Sequence, residues 1–245
     1  MTQVPRRSPQ AGGGPGRGSV ESLYPFLYSG PADLTAVIDE ACMSTMAKAQ
    51  AVLALRREIA IHSGARLMSC ASDVAARFSA GGRLLTFGNG GSATDAQQLA
   101  SLFLYPGCDA QPLPAIGLAS DVAVLTSLSN DIGVEVVFAR QIAAIGQRDD
   151  IAVGLSTSGN SENLLRAFDE ASRRGMLTVG ISGYDGGKMA ELDSLDYLFV
   201  APSTSIHRIQ EAQTTIYHVL WELTVTQLGL RTGRNDEAQG RAGEC

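Results

Sequence analysis

Apolar positions along the chain follow two rhythms. From about Asp33 to Ala80, Leu34, Val37, Ile38, Ala41, Cys42 and Met46 recur at spacings of three and four, the period of a helix with one apolar face. Ala-rich segments continue through Leu53, Ile59, Leu67 and Phe78 and stop at Gly81-Gly82. This region predicts two or three helices, with one face on the core and another turned to a partner subunit. Beyond it, short apolar runs alternate with helical stretches. The runs are Leu84–Phe87, Ala115–Leu118, Ile151–Leu155, Leu177–Ile181 and Tyr197–Val200. They are apolar rather than alternating, which is how strands buried on both faces read. Between them the spacing predicts helices near Ser92–Leu104, Val134–Ala144, Ser161–Arg174 and Lys188–Leu192, and a long last helix from about Ser205 to Leu228.

Strand–helix alternation of this kind predicts an α/β fold: a three-layer α-β-α sandwich on a five-stranded parallel sheet, preceded by N-terminal helices. Residues 1 to about 20 are rich in Gly, Pro, Arg and Ser and lack apolar periodicity; they read as a disordered tail, as do the polar residues 231–245. Residues 33–230 read as one domain with a helical extension. No repeat at a solenoid period is present.

Composition narrows the class. The chain has 245 residues, 44% hydrophobic and 18% charged, with a formal net charge of −6. It is large enough to bury a real core. No stretch approaches the apolar length of a membrane span, and an acidic chain without a Lys/Arg run does not point to direct nucleic-acid binding. Cys42, Cys70, Cys108 and Cys245 show no CxxC spacing, and with only His62, His207 and His218 they offer no Cys/His zinc framework. Scattered single cysteines place the protein in a reducing cytoplasm. Arg6-Arg7 is followed by no apolar segment, so an export signal is not expected.

Ligands of open parallel sheets sit at the carboxyl ends of the strands, so the loops there carry the candidate chemistry. Gly88-Asn89-Gly90-Gly91-Ser92 follows the first strand. Its glycines allow a sharp turn and close approach to a ligand, Ser92 is placed to cap the helix, and free N–H groups at a helix start favour an anion. A tight turn without a ligand is the plainer reading. Ser156-Thr157-Ser158-Gly159-Asn160-Ser161 follows the third strand and carries four hydroxyls in six residues. N-capping needs one Ser; four hydroxyls with backbone N–H groups can surround a phosphate without Lys or Arg. No Gly-Lys-Ser/Thr ending is present, which excludes a nucleotide P-loop. Asn130 and Asp131 either cap the helix expected near Val134 or bind sugar hydroxyls. Gly183-Tyr184-Asp185-Gly186-Gly187-Lys188 is turn chemistry. The last helix opens with His207, Arg208, Gln210 and Glu211 and includes His218; Arg208 and Glu211 stand at ion-pair spacing.

Together GNGGSATDAQ, SNDIG, STSGNS, GYDGGK and RIQEAQTTIYH, in that order, resemble the sugar isomerase (SIS) domain, and within it the bacterial phosphoheptose isomerases, over about residues 35–228. The resemblance implies a homotetramer with active sites at subunit boundaries and a sugar phosphate as ligand. It implies that Ser156, Thr157, Ser158 and Ser161 hold the phosphate, that Asn89, Gly90, Gly91, Asn130 and Asp131 line the sugar, and that Gln210 and His218 are catalytic, the histidine transferring a proton.

Three positions depart from that pattern. The helix after GNGGS carries in the family a His and, four residues on, a Glu, which serve as zinc ligands and base. Here they are Gln98 and Leu102. The residue before RIQE, often acidic in the family, is His207. Gln210 and His218 are separated by two helical turns, about 12 Å. No metal and no other cofactor is therefore expected. Aldose–ketose isomerisation of a phosphate such as sedoheptulose 7-phosphate is one reading; a non-catalytic phosphosugar sensor or protein-binding scaffold is the other. Asp95, His207 and Glu211 are the candidates for a replacement base.

Overall fold

The computed structural model describes residues 34–107 and 110–230. The two tails expected from the sequence, Cys108 and Cys245 lie outside the described residues. Five strands, β1 (Leu84–Gly88), β2 (Ala115–Gly117), β3 (Ile151–Leu155), β4 (Leu177–Gly183) and β5 (Tyr197–Ala201), form one sheet of order β2-β1-β3-β4-β5. Every neighbouring pair is parallel. Every residue of β1, β3 and β4 is buried, as their continuous apolar runs predict, whereas the edge strands β2 and β5 are only partly covered.

Among the described residues the α-helices are α1 (Leu34–Ser79), α2 (Gly91–Leu104), α3 (Val122–Asp131), α4 (Val137–Ile145), α5 (Glu162–Arg173) and α6 (Ile206–Gln227). No helix among them is long and apolar enough to cross a membrane. The two or three helices expected before the sheet are one helix. Between Leu34 and Ser79 stand no Pro and a single Gly, Gly64, so nothing in the sequence breaks the hydrogen-bond ladder. Residues 34–48 belong to a compact unit separate from the rest. Within it Thr35 through Lys48 are exposed, and the Thr45 hydroxyl donates to the Ala41 carbonyl at 2.8 Å. The helix expected over Val134–Ala144 is instead a 3-10 turn (Val134–Val136) leading into α4, and Lys188–Leu192 is a 3-10 turn over Gly187–Glu191.

In the second unit the core lies in two layers. One face of the sheet (Leu84, Ile151, Val153, Leu155, Val179, Ile181) packs against Leu55, Ile59 and Val74 of α1, Leu99 and Phe103 of α2, and Ile209, Ile216 and Leu220 of α6. The other face (Leu85, Phe87, Ala152) packs against Phe138 and Ile142 of α4 and Leu164 and Phe168 of α5. The alternation follows from the pleat, which sends successive side chains to opposite faces. The Phe87 ring sits between Phe138 and Phe168, with centroids 5.6 and 5.1 Å away.

At the amino ends of the strands, Asp150 is buried beneath a lattice of donors. Arg83 offers its backbone N–H (2.8 Å) and guanidinium (2.8 Å to Oδ2), and Gln147 its N–H (3.0 Å). The Tyr197 hydroxyl donates to Asp73 at 2.6 Å and ties β5 to α1. This end of the sheet is therefore a fastening, and the opposite end is left free for loops.

Candidate active site

The chain leaves β1 for the edge strand β2 and returns to place β3 on the other side of β1. The helix after β1 covers one sheet face and the helix after β3 the other. A crevice must open where neighbouring strands send their connections apart, and in open parallel sheets this switch point is the ligand site. The two loops singled out in the sequence, Gly88–Ser92 and Ser156–Ser161, are those that border it.

A reciprocal amide pair bridges the crevice. Asn89 Nδ2 donates to Asn163 Oδ1 and Asn163 Nδ2 donates to Asn89 Oδ1, both at 2.9 Å. Asn163 is buried in the first turn of α5. The sequence reading passed over it, although a polar residue on the apolar face of α5 is a signal in itself. Gln213 was passed over for the same reason. It is fully buried among Ile209, Ala212 and Ile216, and its Nε2 donates to the carbonyls of Ser156 (3.0 Å) and Ile181 (3.3 Å). It thereby fixes the point at which β3 becomes the hydroxyl loop.

Within that loop the hydroxyls divide the work. Ser156 is buried, and its Oγ accepts the Gly159 N–H at 3.0 Å and lies 3.5 Å from Ser161 Oγ. Gly159 has φ +66°, and a Cβ there would collide with the Gly186 carbonyl. The loop is thus pressed against the turn after β4, and only a residue without a side chain fits. Ser158 Oγ accepts the Asn160 N–H at 3.3 Å. Asn160 Oδ1 in turn accepts the Lys188 N–H at 3.0 Å. Ser161 occupies the N-cap of α5, yet its hydroxyl makes no capping bond. An N-cap serine normally satisfies one of the free N–H groups of the first turn; here Ser161 leaves those donors to another acceptor. Thr157, Ser158 and Ser161 are half-buried.

A cleft of about 910 Å³ lies over the carboxyl ends of β3, β4 and β5, with Ser158, Asn160, Tyr184, Asp185, Ser203 and Thr204 among its walls. The Asp185 carboxylate, which accepts the Gly187 N–H at 3.1 Å, makes that end of the cleft unfavourable for an anion. A dianion is better served at the start of α5, where the hydroxyls and helix N–H groups converge.

The opposite wall comes from α2 and α6. The N-cap of α2 is Gly90, and Ser92 lies buried inside the helix rather than capping it. A Cβ added to Gly91 would strike the side-chain amide of Gln210, so α6 lays that amide directly on the glycine loop. Two turns further along α6, His218 is half-buried. Its Nδ1 lies 2.8 Å from the Thr214 carbonyl oxygen, and its ring stacks on Tyr217 at 4.9 Å. A carbonyl can only accept, so Nδ1 is the donor, and in the neutral ring this leaves the lone pair on Nε2. Arg208 makes no ion pair with Glu211 among the described residues, and its Nε is buried without a partner. Asn130 and Asp131 end α3 rather than opening the next helix. Both are exposed, and Asn130 Nδ2 donates to Asp131 Oδ1 at 2.8 Å. The structure gives them no hydrogen bond to either loop among the described residues.

The zinc site implied by the resemblance does not fit these residues. Leu102 offers no donor atom and packs on the core. No group of three or more His, Cys, Asp or Glu side chains able to hold a metal exists among the described residues.

The family profile of the SIS domain matches residues 49–183. The chain is 42% identical over 159 residues to the phosphoheptose isomerase of Aquifex aeolicus, covering 64% of this chain and 82% of that one. It is 38% identical over 193 residues to that of Geobacter sulfurreducens, covering 78% and 99%. Among solved structures, the phosphoheptose isomerase of Neisseria gonorrhoeae superposes with a TM-score of 0.70 at 31% identity, over 77% of this chain and 99% of that one. That of Francisella tularensis gives 0.70 at 32%, over 78% and 98%.

Proposed function

We propose that this chain, which belongs to the SIS-domain family and within it to the phosphoheptose isomerases, binds a sugar phosphate at its switch-point crevice and interconverts the ketose and aldose forms. Sedoheptulose 7-phosphate is the substrate proposed, from the activity named for its relatives. The observation that carries the reading is the placement of Gln210 on Gly91. It brings the polar start of α6 to a crevice whose other wall is the hydroxyl loop. In the proposal Thr157, Ser158, Ser161 and the N–H groups of α5 hold the phosphate. Ser156 shapes the loop from beneath. Asn89, Gly90, Gly91, Asn130 and Asp131 line the sugar, and Gln210 polarises its carbonyl.

The reaction moves a proton between adjacent carbons through an enediol. A base must remove the proton from C1 and return it to C2, and an acid must attend the oxygens. His218 takes the first role in the proposal: the bond from Nδ1 to the Thr214 carbonyl selects the neutral tautomer whose lone pair is on Nε2. No step is routed through a metal. The non-catalytic reading draws only on Gln98 and Leu102, and the isomerase identity of the relatives does not favour it.

We further propose that residues 33–230 form one SIS domain with an N-terminal helical extension, that the active form is a homotetramer, and that the protein works in the cytoplasm, where the free thiols of Cys42 and Cys70 stay reduced. The test is direct: purified protein is incubated with sedoheptulose 7-phosphate and the aldose product is followed by NMR. Turnover that disappears in His218→Asn supports the reading; no turnover by the unaltered protein overturns it.

A further inference from the structure

Six side-chain polar atoms are buried without a hydrogen-bond partner among the described residues. Five of them belong to α2 or α6: Asp95 Oδ2, Arg208 Nε, Gln213 Oε1, Tyr217 Oη and Trp221 Nε1. Buried polar atoms are ordinarily paired, and each exception asks for a cause. Asp95 stands out because the mechanism above leaves it unused and it is a carboxyl group.

Its position follows from the two helices. Both leave parallel strands at the same edge and cover the same sheet face, so they run side by side in the same direction. Gly91 lies under Gln210. One turn on, Asp95 (i+4 from Gly91) is level with Thr214 (i+4 from Gln210), and the next turn of α6 brings His218. Asp95 therefore sits one turn inside the glycine loop, between the levels of Gln210 and His218.

The electrostatic surroundings agree. Besides α6, α2 packs on β1, β2 and β3, which carry no titratable side chain, and meets α1 through the Phe78 and Phe103 rings, which carry no charge either. From α6 the titratable groups are Tyr217 and His218, with His207, Arg208 and Glu211 nearer the helix start and Glu222 one turn beyond His218. Burial pushes the Asp95 carboxyl above its ordinary range. Burial first, and then the charge of Asp95, push the Tyr217 phenol upward. A carboxyl so placed keeps its proton more readily and has an oxygen free of any protein partner.

We propose that Asp95 is the second acid–base group of this site, exchanging protons with the substrate oxygens while His218 works on carbon. The inference rests on the isomerase reading. In the ketose-to-aldose direction, His218 Nε2 takes a proton from C1 as the Asp95 carboxyl gives its proton to O2, forming the enediol. His218 then returns its proton to C2 while the Asp95 carboxylate takes the proton from O1. The C1–O1 double bond forms, and both side chains end as they began. The role needs nothing at Leu102.

The test uses Asp95→Asn, with Asp95→Glu as the conservative control, in the full-length protein. With sedoheptulose 7-phosphate, Asp95→Asn lowers kcat at least ~100-fold and changes KM by no more than about 3-fold. The alkaline limb of the kcat/KM profile, where the acid must keep its proton, disappears, and Asp95→Glu restores part of kcat. Activity within about 3-fold of the parent with an unchanged pH profile overturns the proposal. Calorimetry with a phosphorylated sugar hydroxamate, a mimic of the enediolate, separates this failure from failure of the isomerase reading. If the parent protein binds the mimic at least ~10-fold more tightly than Asp95→Asn, Asp95 stands even without turnover. If the two bind it equally, Asp95 falls whatever the turnover. If the parent neither turns over nor binds the mimic, both readings fall.

Discussion

Gly91→Ala separates the fold from the site more cleanly than any other substitution. Gly91 is the first residue of α2 and does not require a left-handed backbone, so alanine is locally acceptable and a better helix former by up to about 1 kcal/mol. The new methyl, however, lands on the Gln210 amide. Its nitrogen is too close for any Cβ to tolerate, and its Cδ and Oε1 would lie 3.3 and 3.6 Å away. The obstacle is the end of a flexible side chain, so Gln210 rotates away and the fold is kept. The cost in stability stays within about 1 kcal/mol, a rotamer-sized penalty. The loss is in the site, because a displaced polar group costs on the order of 10- to 100-fold in rate when geometry is off by about an ångström. The assay is a double-mutant cycle read by thermal melting and by turnover of the ketose phosphate. Gly91→Ala alone lowers turnover with little change in melting temperature. In a Gln210→Ala background, where the obstacle is gone, it does nothing further. Equal losses in both backgrounds, or a fall of more than about 2 kcal/mol in stability, would refute the argument that this glycine exists to admit Gln210.

Three other perturbations follow from the structure. Ser158→Ala removes a half-buried hydroxyl facing the cleft and weakens sugar-phosphate binding by about 1 kcal/mol, roughly 5-fold in Kd by calorimetry, while the unphosphorylated ketose shows no difference. Asp150→Ala leaves the Arg83 guanidinium with only the Ile145 carbonyl and two backbone N–H groups without their acceptor, and destabilises the fold by about 2–3 kcal/mol in urea unfolding. The Tyr197 phenol is pushed up to about 12, first by its bond to Asp73 and then by burial. Its neutral form is the one the fold favours, so its contribution to stability is intact below the ordinary phenol range and is lost as pH rises from there to about 12. In an ultraviolet titration Tyr197 and Tyr217 both ionise late, and Asp73→Asn brings only Tyr197 back toward the ordinary phenol range.

The sequence carried the sheet because each buried strand is a continuous apolar run, and helices between such runs call for a parallel sheet covered on both faces. It did not carry the helix boundaries. The continuity of α1 follows from an absence of breakers, which the spacing of apolar residues does not register. A 3-10 turn, Val134–Val136, takes the start of what looks like one helical period between Val134 and Ala144. At the site, the hydroxyl loop was legible because its chemistry exceeds what a cap needs. Asn163 and Gln213 were not, because each acts through a backbone or amide partner far away in sequence, 74 and 57 residues respectively. Asp95 was visible only as one of three acid–base candidates. Its partnerless oxygen and its level between Gln210 and His218 exist only once α2 and α6 are side by side.

A crystal soaked with sedoheptulose 7-phosphate tests the account where it is most exposed. The phosphorus is expected at the start of α5, within hydrogen-bond reach of the Ser158 and Ser161 hydroxyls, with the carbonyl end of the sugar turned toward Gln210. Density for the phosphate elsewhere, or a sugar oriented with its carbonyl away from α6, would contradict it.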